Sequence, residues 1–535
     1  VKIEWKPKSI DNFNGNVKDH ISKVRGIPNI NTYLSPTPDH VFDPYLLSNM
    51  KEASDRVIEA IKNQELICIY ADVDPDGILS TVIVYDYIKR KLSGNAKILF
   101  HQRSEGHGVQ EDKVPEETDL LLILDSSSNE VTACKKLSEN MDIVIIDHHI
   151  VDEDNPHCIL VNPQNDNYPN KNICTGVLAF KFVETLDFHF KKVDVHNYID
   201  LVAVTLLADS IDLSVMENRY FVYEGMKNIQ NIGLLALLKS KKKTPDKVDS
   251  TFLNYQIIPV VNTTTRNDEI EKAFKLFLQQ DFKTAKKMAD WIVEENEARK
   301  EKVKELVNYY KTIMYNGKVI VVVSSKASKN YNGLCAAMLS GEYKKPCLVL
   351  QNLGDTYEGS LRSYAGFDML TFMKNCVYTT HAAGHAEAAG CGIKAEDYDK
   401  FISYIEDGLS EISFDPVIKY DIEIDEDDLG DVFEENKSNF ELVEQIQEID
   451  YVSGKGFEPI TIRINSVVFG DRKLFGKDKH TEINAQHFTM KKFNDNEYGQ
   501  ELGDFDILDV IGSISINEFR GKRSIQLIIE DYRVH

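Results

Sequence analysis

This chain of 535 residues lacks most of what stabilises secreted or membrane-embedded proteins. Its eight cysteines are scattered, with no Cys-x-x-Cys pair, which argues for a reducing compartment and against structural zinc. No apolar run approaches the ~20 residues that a membrane span needs. The opening Val1-Lys2-Ile3-Glu4-Trp5-Lys6 has no signal-peptide core and, lacking Met, reads as a trimmed start. These absences lead us to expect a cytoplasmic protein with no membrane attachment. Positive charge is also scarce: 62 Lys+Arg face 86 Asp+Glu, a net charge of −24. Such a surface repels nucleic acid, so any binding must use metals or a local basic channel. The scarcity is uneven, because the residues from 460 onward are close to neutral.

What is present points to a globular protein of about three domains at ~150 residues each. Hydrophobic residues make up 42% and charged residues 28% of the chain. The densest chemistry lies in Ala71-Asp72-Val73-Asp74-Pro75-Asp76-Gly77, behind the apolar run Leu66-Ile67-Cys68-Ile69-Tyr70. That run predicts a buried strand, and Ile78 to Leu92 predicts a helix. The three aspartates therefore sit where a strand hands over to a helix, the usual ligand crevice of an open α/β sheet. Crowded carboxylates stay ionised together most easily around a hard divalent cation. The pattern argues against an EF-hand, because no Glu closes a twelve-residue loop.

The pattern repeats. Ala96–Gln102, Leu120–Leu124 and Ile143–Ile146 read as further strands of a mostly parallel sheet. The second leads to Arg103 and His107, the third to Asp125, and the fourth to Asp147-His148-His149. In a parallel sheet such strand ends share one edge, so distant acids and imidazoles converge there. Leu201 to Ala208 is almost wholly apolar and runs into Asp209; its length fits a strand or a helix. Residues 1–45 read as a polar, irregular segment and 46–280 as the first α/β domain. Residues 281–314 predict one long connecting helix, and 315–415 a smaller α/β domain. Within the latter, 382–390 reads as a Gly/Ala/His-rich loop. Residues 416–458 read as a solvated acidic linker, and 459–535 as a small β-barrel.

The order Asp72-x-Asp74-x-Asp76-Gly77, Asp125, Asp147-His148-His149, Asp209 resembles the DHH phosphoesterase superfamily, and specifically its RecJ single-strand exonuclease branch. Later stretches are similar too: Glu217-Asn218-Arg219, Pro259 through Asn262 to Arg266, Gly359-Ser360-Leu361-Arg362-Ser363, Ala383-Gly384-His385, Gly454 to Pro459, and Phe519-Arg520-Gly521-Lys522-Arg523. Thr265 and Ala383 replace family glycines, at what read as loop positions.

The resemblance implies a DHH domain, a DHH-associated domain and a C-terminal OB-like barrel. It implies two divalent ions, Mn²⁺ preferred or Mg²⁺. Asp74 would hold one ion, Asp76, His148 and Asp209 the other, and Asp125 would bridge. Asp72 would be ligand or support, Asp147 would orient an imidazole, and His149 would contact the scissile phosphate. Substrate contacts would come from Arg103, His107, Asn262, Arg266, Ser360, Arg362, Gly384 and His385, with Phe519, Arg520, Lys522 and Arg523 in the barrel. The implied activity is 5′-to-3′ hydrolysis of single-stranded DNA in repair, recombination or replication. The implied protein is a monomer, with a single-strand-binding protein or a helicase as possible partner. Two rivals remain: a phosphodiesterase of nanoRNA or cyclic dinucleotides, and a non-catalytic DHH replication scaffold.

Overall fold

The computed structural model describes residues 3–535 apart from 10–11, 14, 431–439, 504 and 520. The chain divides into two units. One comprises Lys6–Trp291 with Lys419–His535, and the other the first residues to Trp5 with Ile292–Ile418.

In the first unit a five-stranded parallel sheet is laid out in the order Ala96–Phe100, Ile67–Ala71, Leu120–Leu124, Asp142–Ile146, Ile159–Val161. The second and third of these strands are buried at every residue. That explains their unbroken apolar runs, since a parallel sheet is covered on both faces. Register matters most here. Ala71 pairs with Leu124, and Leu124 with Ile146. Asp72, Asp125 and Asp147 therefore leave the sheet side by side. Helices Pro75–Asp86, Thr175–His189 and Ile199–Ala208 pack against one another near that edge. The apolar stretch before Asp209 is thus a helix, and the helix expected from Ile78 begins at Pro75, so that Asp76 lies in its first turn. It runs on through a π-helical turn at Tyr87–Lys91.

The same unit holds a seven-stranded sheet, in the order Ile422–Asp425, Ile462–Val468, Ile507–Phe519, Lys522–Val534, Thr489–Lys492, His480–Asn484, Arg472–Phe475. Two sequence expectations are corrected here. The described part of the acidic stretch is no solvated linker, residues 431–439 lying outside the described residues: Ile422, Ile424 and Leu429 enter the core of this sheet, as do Val443, Ile446 and Ile449 of the Glu441–Asp450 helix. Asp421 is buried between Arg25 and Lys8, at 2.8 and 3.0 Å. The alternation Ile-Glu-Ile is a strand with one face wet, which a count of charges hides. Nor is the N-terminal segment irregular. Helices Val17–Val24 and Ile30–Leu34 contribute Val17, Ile21, Ile30, Tyr33 and Leu34 to the same core.

The second unit carries a six-stranded mixed sheet with Ile320–Ser324, Cys347–Asn352, Thr356–Arg362, Ala388–Lys394 and Thr379–His385 as its main strands. The Gly/Ala/His-rich stretch is a hairpin of the last two rather than a loop. Small residues suit it because Gly384 has φ +133° and a Cβ there would lie 2.7 Å from the Ala388 carbonyl oxygen. Ala383 is accordingly a strand residue. Thr265 is likewise no loop residue: it is buried in the Ile258–Arg266 helix, its hydroxyl donating to the Asn262 carbonyl at 3.1 Å. The long helix spans Phe282–Tyr310. Among the described residues no helix is long and apolar enough to cross a membrane.

One side chain ties the first unit together. Arg219 is 1% exposed; its Nε donates to the Tyr33 carbonyl at 2.6 Å and its Nη1 to the Val452 carbonyl at 2.9 Å. Its guanidinium lies 3.8 Å from the Tyr33 ring centroid and 4.8 Å from that of Phe457. Removing a buried, hydrogen-bonded charge leaves its acceptors unpaired, a loss of about 3 kcal/mol or more. Arg219→Ala is expected to lower unfolding free energy by about that amount in denaturant titration, and Arg219→Lys to recover little, because one ammonium lacks the flat fork and the stacking face.

Candidate metal centre

The site is built from turns. After the Ile67–Ala71 strand, Asp74 caps the next helix, its Oδ1 accepting from the backbone N–H of Asp76 and Gly77 at 2.9 and 3.0 Å. The helix start doubles back so tightly that a Cβ at Gly77 would fall 2.8 Å from Asp72 Cβ. Only glycine fits, and the fold at this point gathers three carboxylates within five residues. Asp125 adopts φ +68°, a left-handed conformation that Asp tolerates better than most residues. Asp209 ends the Ile199–Ala208 helix.

These groups meet. Ligand atoms of Asp72, Asp74 and Asp125 lie within 4.8 Å of one another, as do those of Asp76, His148 and Asp209, and those of Asp125, His148 and His149. His148 Nε2 stands 3.4 Å from Asp125 Oδ1 and 3.5 Å from Asp209 Oδ2. The first two groups adjoin through Asp125 and His148. Asp147 faces the other way. It accepts from His149 Nδ1 at 2.7 Å and from the Ser128 hydroxyl at 2.7 Å.

Electrostatics shows a site short of positive charge. Burial, then the neighbouring Asp74, pushes Asp72 up to about 7. Burial, then Asp74, does the same to Asp209, also to about 7. Burial and then the surrounding carboxylates hold Asp76 and Asp125 well above the usual range. Burial, aided by the charge of His149, drops His148 to about 4, which leaves its imidazole neutral and able to ligate. His149 behaves oppositely: its bond to Asp147 raises it to about 9. Burial alone would raise Asp147, but the hydrogen bonds from His149 and Ser128 outweigh it and hold the carboxyl near 2.

A divalent cation fits this donor set. Asp72 Oδ1 is buried without a hydrogen-bond partner, at a position where a cation would satisfy it. Oxygen donors with one neutral imidazole suit Mn²⁺ or Mg²⁺.

Sequence reasoning missed the supports. Thr175 and Gly176, at the start of the Thr175–His189 helix, donate backbone N–H groups to the two oxygens of Asp76, each at 2.8 Å. The Thr175 hydroxyl donates to Asp125 Oδ1 at 2.8 Å. Asn162 Nδ2 holds the His149 carbonyl at 2.9 Å, and Gln164 Nε2 the His148 carbonyl at 3.2 Å. A Cys-Thr-Gly run before an apolar helix is the one sequence signal that could have marked Thr175.

The expected substrate contacts are dispersed. Arg103 lies in a short 3-10 turn after the Ala96–Phe100 strand, with His107 in the loop that follows. Asn262 and Arg266 lie on the Ile258–Arg266 helix. Ser360, Arg362, Gly384 and His385 belong to strands of the other unit. There Arg362 Nη1 donates to the Leu361 carbonyl at 2.7 Å, and the side chain lines a cavity of about 420 Å³. Lys522 and Arg523 open the last strand, and Arg523 is already engaged with Glu444 at 2.5 Å. Phe519 ends the preceding strand, and Arg520 lies outside the described residues.

Comparison with known proteins agrees with this architecture. Residues 66–206 match the DHH family N-terminal domain, and residues 432–531 the RecJ OB domain. YorK of Bacillus subtilis, named as a prophage-derived single-strand DNA-specific exonuclease, is 27% identical over 99% of this chain and 98% of its own length. The single-stranded-DNA-specific exonuclease RecJ of Bacillus subtilis is 26% identical over 92% of this chain and 64% of its own. The crystal structure of Thermus thermophilus RecJ in complex with Mn²⁺ superposes with a TM-score of 0.79 at 19% identity, covering 99% of this chain and 79% of that one. The chain thus carries a DHH family N-terminal domain and a RecJ OB domain, and it shares the fold of Thermus thermophilus RecJ across nearly its whole length.

Proposed function

We propose that this protein is a metal-dependent exonuclease that hydrolyses phosphodiester bonds of single-stranded DNA with 5′-to-3′ polarity. The observation that carries the reading is the convergence of Asp72, Asp74, Asp76, Asp125, His148 and Asp209 on one sheet edge as two adjoining ligand groups. The names of the relatives support single-stranded DNA as substrate. Asp72 and Asp74 would hold one ion, Asp76, His148 and Asp209 the other, with Asp125 shared. When bound, such a pair supplies an activated water and neutralises charge on the phosphate being cleaved. The protein's own part is positional. Thr175 and Gly176 fix the rotamer of Asp76, and Thr175 that of Asp125. His149 is charged at neutral pH and bound to Asp147 through Nδ1, so its Nε2–H is left to donate to a phosphate oxygen. Arg103, His107, Asn262 and Arg266, with Ser360, Arg362, Gly384 and His385, are the proposed strand contacts. The monomeric state, the cytoplasmic location and a single-strand-binding protein or helicase as partner belong to the same proposal.

The rival nanoRNA or cyclic-dinucleotide phosphodiesterase is disfavoured by the seven-stranded domain, which binding of short substrates does not need. The scaffold reading is disfavoured by the complete ligand set. Deleting 460–535 would not isolate the nuclease, because helices of residues 17–34 share that domain's core; point substitutions such as Lys522→Ala are the cleaner probe.

Two outcomes are expected. Asp125→Asn, which keeps shape and tolerates φ +68°, abolishes release of nucleotides from an end-labelled single strand. His149→Ala slows it about 10²-fold, the scale of one lost charge-stabilising donor. Activity of Asp125→Asn near wild type, or of wild type in excess EDTA, would sink the two-ion reading.

Stability should also respond to pH. Asp72 and Asp209 have folded values near 7, above their ordinary 3.8, so the metal-free folded state binds the extra protons. Their contribution is complete below the ordinary value and is lost as pH rises through about 7. In EDTA the melting temperature should fall between about pH 5 and pH 8, while added Mn²⁺ should remove most of that fall and release protons near pH 6. A melting temperature that rises with pH in EDTA would contradict the assignment.

A further inference from the structure

The loop that leads into the last domain is clamped onto the turn that follows Asp209. Leu213 N–H donates to the Lys455 carbonyl at 2.8 Å. Gly456 has φ +76°, and a Cβ there would lie 1.8 Å from Asp212 Oδ1, so the two loops touch where no side chain fits. Gly454 and Phe457 form a bridge that closes the loop on itself, and Arg219 holds Val452 just before it. The contact leaves a cavity of about 420 Å³, lined on one wall by Ala208 and Ser210, the residues on either side of Asp209. Lys455 and Glu458, with Asn254 and Tyr255, line the same cavity.

Three side chains in this cavity are uncommitted. Lys455 is exposed and, among the described residues, makes no ion pair. Tyr255 is 71% exposed, an unusual place for a large ring, with no aromatic neighbour among the described residues. The amide Nδ2 of Asn254 lies 3.9 Å from where a Cβ of Gly454 would stand. A lone cation, an open ring and an amide around a cleft of this size are what a nucleotide unit needs: phosphate to ammonium, base against ring, amide to a base or sugar edge. The Glu458 carboxylate on the same wall can accept from an exocyclic amino group but would repel a phosphate, so the phosphate belongs at the Lys455 end.

We infer that this cavity is a nucleotide subsite of the nuclease, in which Lys455 holds the phosphate next to the scissile one and Tyr255 stacks on the base attached to it. The inference rests on the proposed single-strand hydrolysis and adds a substrate-binding wall supplied by the segment entering the OB domain. It gives that domain a direct part in the reaction centre, beyond holding the distant strand. Lys455 and Tyr255 touch substrate, not metal, so their losses fall on binding.

The test uses the full-length protein with Mn²⁺ and end-labelled oligo(dT), comparing wild type with Lys455→Met, Lys455→Arg and Tyr255→Ala. Lys455→Met should raise KM about fivefold, more than it lowers kcat, and reduce the log–log salt slope of oligo(dT) binding by ~0.7, one phosphate contact. Lys455→Arg should recover most of both. Tyr255→Ala should raise KM about threefold on an intact strand, and this penalty should vanish when the nucleotide flanking the scissile bond is abasic. Mn²⁺ binding to Lys455→Met, followed by calorimetry, should be as tight as to wild type or tighter, since a cation has been removed from beside Asp209. Equal KM and salt slope in wild type and Lys455→Met, or a Tyr255→Ala penalty that persists on the abasic strand, would overturn the subsite. Failure of the wild type to digest oligo(dT) would overturn the functional reading itself.

Discussion

Mutual repulsion among buried carboxylates is the constraint on which the rest of this structure depends. Asp72, Asp76 and Asp125 are each at least nine-tenths hidden from solvent, and Asp74 and Asp209 stand over them. Left alone, such a group takes up protons instead of staying charged. Every nearby feature either holds these oxygens in place or supplies compensation. The start of the Thr175–His189 helix offers N–H groups to Asp76, the tight turn at Gly77 brings Asp72 against the next helix, and the neutral His148 closes the set without adding a proton. The outcome is a pocket of oxygen atoms whose resting state is strained toward binding a cation.

Asp147 shows how the same residue type does the opposite job two strands along the sheet from Asp72. It is as buried as its neighbours, yet stays ionised because His149 and Ser128 surround it. Two histidines adjacent in sequence thereby separate in charge: one neutral and turned inward, one cationic and turned outward. The division follows from a single 2.7 Å hydrogen bond, and it gives two neighbouring imidazoles different charge without any change of residue type.

Much of the centre was legible in the sequence because it is local. Strands that end in an acid, read in order, fix which groups share an edge, and the registers of the parallel sheet then do the rest. What escaped was non-local or masked by composition. Thr175 and Gly176 hold Asp76 through backbone N–H groups, which carry no residue signature. The acidic stretch before 430 looked like a solvated tether, since charge counts weigh Glu423 and Asp425 and overlook the inward alternation of Ile422 and Ile424. Helices Val17–Val24 and Ile30–Leu34 were invisible because their apolar partners lie in the last hundred residues. Thr265 looked like a loop residue until its helix was seen, and a β-branched residue there is accommodated by burial and a bond to Asn262.

The clamp made by Arg219 also governs how the protein comes into being. Its acceptor Val452 is 233 residues downstream, beyond the whole of the other unit. At ~5–20 residues per second, translation leaves the arginine waiting roughly 10–50 s for that partner. Through this interval the catalytic half exists without the surface that closes it, and its apolar Tyr33 face is open to chaperones, to misassembly and to proteases. Maturation of the candidate metal centre is therefore tied to completion of the polypeptide, and an aborted translation product would carry all of its acids in a body that cannot close.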